Sequence, residues 1–144
     1  MRISTKGRYG LRAMVELARH WGQGPLEMRV ITERQQIPRK YLHALLTSLR
    51  AAGLVRSLRG SHGGYTLSRA PEQINVRDIV IALEGPIVLV DCNERGAPCE
   101  LFDCCATRDL WTELSEMVEQ RLAAVSLDEL ARAKRSTRVA RELV

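Results

Sequence analysis

Four cysteines, all lying between Cys92 and Cys105, are the residues of this 144-residue chain whose type and spacing could do chemistry. The stretch reads Cys-Asn-Glu-Arg-Gly-Ala-Pro-Cys-Glu-Leu-Phe-Asp-Cys-Cys, and glycine, proline and charge interrupt it as they interrupt loops. A loop can turn several sulfurs towards one point, which suits ligation of a soft metal. The spacing Cys92-x6-Cys99-x5-Cys105 is too wide for the paired C-x2-C knuckles of structural zinc modules. It points to an iron–sulfur cluster. A disulfide pair or free thiols are the plainer alternatives.

Other chemistries find little support. The chain has no C-x-x-C, no histidine near the thiols, no P-loop and no dinucleotide fingerprint. An enzyme such as a thiol oxidoreductase is therefore a weak rival, and the prediction is a protein without catalytic residues. No apolar run reaches the length of a membrane span, and Met1-Arg-Ile-Ser-Thr-Lys6 has no apolar signal core. A cytoplasmic location is expected, where thiols stay reduced and open to metal.

The charge is divided unevenly. Residues 1–69 carry 13 Lys and Arg against three acids, Glu16, Glu27 and Glu33, a balance of +10. Residues 70–144 carry 9 Lys and Arg against 14 acids, a balance of −5. Nucleic acid is the default partner for the first half, a merely solvated basic face being the alternative.

The elements that must position these groups follow from periodicity and punctuation. Ser4 or Thr5 caps a first helix running to about Trp21, with Leu11, Met14, Val15 and Ala18 facing a core. A short helix near residues 29–35 and the turn Gln36-Ile37-Pro38 precede a third helix, from Pro38 to about Ala52. Leu42, Leu45, Leu46 and Leu49 form its apolar stripe, and Arg39, Lys40, His43 and Thr47 lie opposite. This is the helix-turn-helix pattern, whose second helix enters a major groove. Two β-prone segments joined by Arg59-Gly-Ser-His-Gly-Gly64 then make a wing. Arg59 and Gly60 at its tip are the candidates for the minor groove, and His62 for a weaker phosphate contact.

Asn75 caps a fourth helix bearing Val76, Ile79, Val80 and Leu83, ending at Gly85. Residues 86–90 are a short extended apolar run into the cysteine loop. Thr107 is expected to cap a long helix to about Val125, with Leu110, Leu114, Met117, Val118, Leu122 and Val125 on one stripe widened by Trp111. With no core left for it to cover alone, that stripe predicts a dimer interface, packing on its own domain being the alternative. Ser126-x-x-Glu129 is a capping box for a last short helix, followed by a basic tail from Lys134. The fold class is thus mainly α with a small β wing: a winged helix-turn-helix plus a long C-terminal dimerisation helix. The expected divisions are 1–85 for DNA binding, 86–106 for the cysteine loop, and 107–144 for the dimerisation helix, short helix and tail.

Residues 1–10, Tyr41-Leu42, Gly53-Leu54-Val55, Arg59-Gly-Ser-His-Gly-Gly-Tyr65 and the cysteine loop ending in Leu110-Trp111 resemble the Rrf-two family of bacterial winged-helix regulators. The likeness runs in order to about Leu130. It implies cluster ligation by Cys92, Cys99 and Cys105, since members place Trp six residues after the third cysteine and Trp111 fits only Cys105. It also implies sensing of iron, redox or nitric oxide status. The chain departs from its relatives at the remaining ligand. Arg108 stands where IscR-type members have histidine, and Arg8 where NsrR-type members have an acid. Cys104, Asp103, a small molecule or nothing could complete the site, and both 2Fe-2S and 4Fe-4S types stay open. The expected reading is a homodimeric regulator of double-stranded DNA whose operator binding a cluster controls. Arg39, Lys40, Tyr41 and His43 would meet the major groove. The rival is the same fold without a cluster, using the cysteines as a thiol switch or zinc site, or sensing a small metabolite.

Overall fold

Ser4 starts the first helix by accepting the backbone N–H groups of Lys6 and Gly7, leaving Thr5 as its first helical residue. The computed structural model describes residues 2–93 and 99–133. Helix α1 spans Thr5–Arg19 and buries Ala13, Met14, Leu17 and Ala18. Its N-terminus also receives the Glu84 carboxylate, which accepts Ser4 N–H at 3.0 Å and Gly7 N–H at 2.9 Å. An anion there is favoured by the helix dipole. A Cβ on Gly7 would sit 2.3 Å from that carboxylate oxygen, so the close approach requires glycine.

Helix α2 (Met28–Gln35) and helix α3 (Arg39–Ala51) are joined by Gln36, whose left-handed backbone (φ 52°, ψ 47°) turns the chain. Pro38 occupies the N-cap position of α3. Leu42, Leu45, Leu46 and Leu49 are all buried, as the stripe predicts. Four such side chains contribute on the order of 1.5–3 kcal/mol each. They meet Met14, Leu17, Ile31, Ile37, Ile74 and Ile79 in the main core.

Strands β1 (Val55–Leu58) and β2 (Gly64–Leu67) pair antiparallel, with Val55 opposite Leu67 and Leu58 opposite Gly64. Leu26 extends this wing: its N–H donates to Tyr65 O at 2.8 Å and its carbonyl accepts Tyr65 N–H at 2.9 Å. Helix α4 (Val76–Glu84) begins where Asn75 Oδ1 accepts Asp78 N–H. The run 86–90 forms no strand among the described residues. Lacking a strand partner, it lays Ile87 against Val76 and Val80 instead.

Helix α5 spans Arg108–Ala123. It corrects two expectations. Thr107 sits at the N-cap position, but its backbone is helical (φ −99°, ψ −9°) and its side chain makes no cap bond. Its hydroxyl is turned to Cys105 Sγ, 3.4 Å away. The apolar stripe also divides. Val118, Leu122 and Val125 pack back on a second cluster built on Val76, Val80 and Ile87. Leu110 and Met117 stay 50% and 57% exposed. Some core therefore does remain for α5 to cover, along one edge.

Helix α6 (Leu127–Arg132) opens with the expected Ser126–Glu129 capping box and returns to α1. There Arg19 donates to Ala131 O at 3.1 Å. Backbone bonds from Val76 N–H to Val125 O and from Leu127 N–H to Ile74 O fasten this return. The basic tail from Lys134 lies outside the described residues, as do residues 94–98 of the cysteine loop.

Candidate nucleic-acid interface and cysteine loop

The candidate reading surface is positioned by burial on its far side. With the leucine stripe of α3 inward, Arg39, Lys40, His43, Ala44 and Thr47 are exposed along the opposite face. Thr47 bonds its own helix at the His43 carbonyl, 2.8 Å away, so its hydroxyl is partly committed. Tyr41 is half-buried and packs edge-on against Tyr9, ring centroids 5.7 Å apart at 89°. Its ring holds α1 against α3 and leaves Arg39, Lys40 and His43 as the outward side chains of that turn.

Arg59, Gly60 and His62 lie together at the exposed tip of the wing. Gly60 has φ 114°, a conformation other residues rarely adopt. Gly64 serves packing: a Cβ there would lie 2.4 Å from the Leu26 carbonyl oxygen. The wing and α3 enclose a groove of about 470 Å³. Arg29, Arg39, Arg50 and Arg59 line it. Arg29 and Arg50 were not among the residues singled out above. Their signal was available in the basic balance of residues 1–69, but periodicity alone does not say that helices α2 and α3 turn them to the same side.

A buried carboxylate ties α1 to α2 behind this surface. Glu16 of α1 is 4% exposed and accepts Gln35 Nε2 at 2.7 Å. Arg34 and Arg19 lie 3.4 and 3.6 Å from its oxygens. Arg12 also bonds the Gln35 side chain, at 3.1 Å, and its backbone carbonyl. A buried charge is tolerable only when paired and hydrogen-bonded, and here the partners come from both α1 and α2.

The described part of the cysteine loop hangs from the start of α5. No disulfide joins the cysteines; Cys92 and Cys105 are half-buried, Cys99 and Cys104 exposed. The Thr107 hydroxyl and backbone N–H hold the Cys105 thiol below its usual range. Arg108 donates to the Phe102 carbonyl at 2.7 Å and its guanidinium stacks 4.6 Å from the Phe102 ring. It clamps the turn and offers no lone pair to a metal. Among the described residues no group of three or more His, Cys, Asp or Glu side chains gathers closely enough to hold a metal ion. The donor set nevertheless fits a cluster in its chemistry, because three thiols fall within fourteen residues of sequence and hydrogen bonds from Thr107 lower the pKa of one of them. Among the described residues no helix is long and apolar enough to cross a membrane.

Comparison with known proteins agrees with this architecture. Residues 3–133 match the Rrf2 family, described as an iron-dependent transcriptional regulator. The chain is 42% identical over 131 residues to the HTH-type transcriptional regulator CymR of Bacillus subtilis, covering 91% of this chain and 90% of that one. It is 38% identical over 130 residues to the regulator IscR of Photorhabdus laumondii, covering 90% and 79%. Among solved structures, B. subtilis CymR, described as a global cysteine regulator, superposes with a TM-score of 0.79 at 40% identity over 94% of this chain and 99% of that one. IscR of T. potens superposes at 0.74 with 36% identity, over 96% of each chain. These relatives are regulators and not enzymes. The chain belongs to the Rrf2 family of winged-helix, DNA-binding transcription regulators, the Rrf-two family that its wing and cysteine loop resemble.

Proposed function

We propose that this regulator works as a homodimer whose affinity for a specific operator is controlled by an iron–sulfur cluster held by Cys92, Cys99 and Cys105. The observation that carries the reading is the placement of every thiol of the chain between the winged helix and α5, the two elements whose relative pose sets operator fit. Residues 1–85 form the DNA-binding unit, 86–106 the sensing loop, and 107–144 the dimerisation helix, short helix and tail. Arg39, Lys40 and His43 read or approach the major groove, with Tyr41 as their support, and Arg59 with Gly60 approaches the minor groove. His62 adds a phosphate contact. The protein acts in the cytoplasm.

When bound, a cluster supplies a tie between thiolates that breaks on iron loss, oxidation or attack by nitric oxide. The chain's own residues transmit the state of that tie. Cys92 follows the segment 86–90, which Ile87 docks on α4 and Ser115 clips to α5. Cys99, Cys104 and Cys105 precede α5 directly. Ordering the loop therefore biases the angle of α5 against α4, where Arg77 pairs with Glu119. In a dimer built on α5, that angle sets how two reading heads meet half-sites one helical turn apart, a shift of population between two poses. Iron and acid-labile sulfide analysis of anaerobically purified protein tests the reading. Stoichiometric iron and sulfide with visible absorbance supports it, and colourless protein without either contradicts it.

A second reading is favoured by the likeness to CymR, whose solved B. subtilis structure is described as a global cysteine regulator. In it the same dimer binds DNA without a cluster, and the thiols serve as a redox switch or zinc site, or a small metabolite is sensed. Zinc in place of iron, or operator binding indifferent to all four cysteines, would favour it.

A further inference from the structure

Arg12 of α1 reaches the end of α2 with two donors of its guanidinium fork. Its Nε donates to the Gln35 side-chain oxygen at 3.1 Å, and a terminal nitrogen donates to the Gln35 backbone carbonyl. Gln35 is the last residue of α2, so its carbonyl is one that the helix end leaves without a partner of its own. The next residue is Gln36, left-handed at φ 52°, a conformation disfavoured for a residue with a Cβ. Gln36, Ile37 and Pro38 are all that separates α2 from α3. The Arg12 guanidinium also lies 5.2 Å from the centroid of the Tyr9 ring, and Tyr9 packs edge-on against Tyr41 in the first turn of α3.

We infer that Arg12 is a positioning residue for DNA recognition, which fixes the angle at which α3 leaves α2 and touches no DNA itself. The inference rests on the DNA-binding reading above and adds to it a residue that acts through the turn. Arg12 is tied to both sides of that turn, by two hydrogen bonds to the end of α2 and through Tyr9 to the start of α3. A planar fork with donors at fixed spacing suits two acceptors on one residue. The position of those acceptors is itself fixed, because Gln35 Nε2 donates to the buried Glu16 carboxylate at 2.7 Å. Arg12 and Glu16 are one turn apart on α1, so a single rigid helix holds both ends of the Gln35 amide. A left-handed residue such as Gln36 persists where its surroundings over-determine it. Without the clamp the turn gains other conformations, and each of them points Arg39, Lys40 and His43 elsewhere. Fewer molecules then carry the pose that fits a major groove, and apparent affinity for a specific sequence falls in proportion. Binding to random sequence depends on the number of neutralised phosphates and not on that pose.

The experiment uses the full-length protein and two probes: a duplex that the wild type enriches from a random-sequence pool, and a duplex of random sequence. Arg12→Met removes the fork at an exposed helical position while keeping the stem and a similar helix propensity. It is expected to weaken binding to the enriched duplex about tenfold, as the competent pose falls to about a tenth of the molecules. Affinity for the random duplex, and its salt slope, are expected to stay at the wild-type values. Gln36→Gly lets the turn adopt its left-handed backbone without strain, so in that background Arg12→Met is expected to lose only about threefold. Equal weakening on both duplexes, with the salt slope lower by about 0.9, makes Arg12 a phosphate contact and overturns the inference. Unchanged binding to the enriched duplex overturns it, and so does a loss of the same size in the Gln36→Gly background. Unfolding of Arg12→Met at the assay temperature, read by circular dichroism, also overturns it, since Arg12 would then hold the whole fold. A wild-type protein that enriches no sequence contradicts the DNA-binding reading itself.

Discussion

The Ser115 hydroxyl accepts the Leu89 backbone N–H at 3.2 Å and donates to the Trp111 carbonyl at 2.8 Å. One buried side chain on α5 thus holds the segment that leads into the cysteine loop. Ser115→Ala removes the acceptor and leaves that N–H unmatched in a partly buried place. The expected cost is about 0.5–1.5 kcal/mol, read as a lower denaturant midpoint with unchanged slope. An unchanged midpoint would show that water replaces the hydroxyl at no cost.

At the wing, Arg59→Ala is expected to lose about 1–3 kcal/mol of operator binding and to relax sequence preference, the magnitude of one good base-reading contact. Arg59 is exposed at a turn, so the fold should be untouched. Equal operator affinity for mutant and wild type at physiological salt would sink the wing assignment.

Leu110 and Met117, seven residues apart on α5, are half-exposed on the single chain. Leu101, at 63%, and Phe102, at 43%, are likewise exposed within the cysteine loop. Met117→Glu is expected to yield a folded monomer that no longer holds a two-half-site operator, because the substitution lies outside the chain's own core. Leu114→Glu, at a half-buried position, should do the same with some loss of stability. Sedimentation giving a well-behaved wild-type monomer would contradict the dimer.

The thiols should separate by role. Cys92→Ala, Cys99→Ala and Cys105→Ala are each expected to lose iron, while Cys104→Ala keeps most of it. Cys104 and Cys105 are neighbours, and adjacent side chains rarely reach one small cluster together. Arg108 has no lone pair to offer, so the last iron site is expected to take an oxygen donor or an exogenous ligand and to be labile to air. If Cys104→Ala empties the site and Cys105→Ala does not, the register is off by one residue.

Much of this was legible in the sequence because the relevant signals are local. The leucine stripe of α3, the caps at Ser4, Asn75 and Ser126, and the glycine-marked wing each lie within a few residues of what they determine. What escaped depends on distant partners. Periodicity shows that α5 has an apolar stripe, but not that Val118 and Leu122 would find α4 while Met117 would not. Thr107 has a capping residue's identity, yet the neighbouring thiol takes its hydroxyl. Glu16 falls on the inward arc beside Ala13 and Leu17, a visible oddity whose explanation, Gln35 and Arg34, lies on another helix. The strand-like addition of Leu26 to the wing is a pairing across nearly forty residues, beyond any local pattern.

The central claim is that the state of the cysteine loop sets operator affinity through a cluster. Its most direct test measures operator Kd on one anaerobic preparation, before and after iron is removed, at fixed salt and with dimer content monitored. The account predicts iron and sulfide in the starting protein and a change in Kd of about 5- to 150-fold on their loss, corresponding to ~1–3 kcal/mol of coupling. A Kd that stays the same after the iron is gone would contradict it.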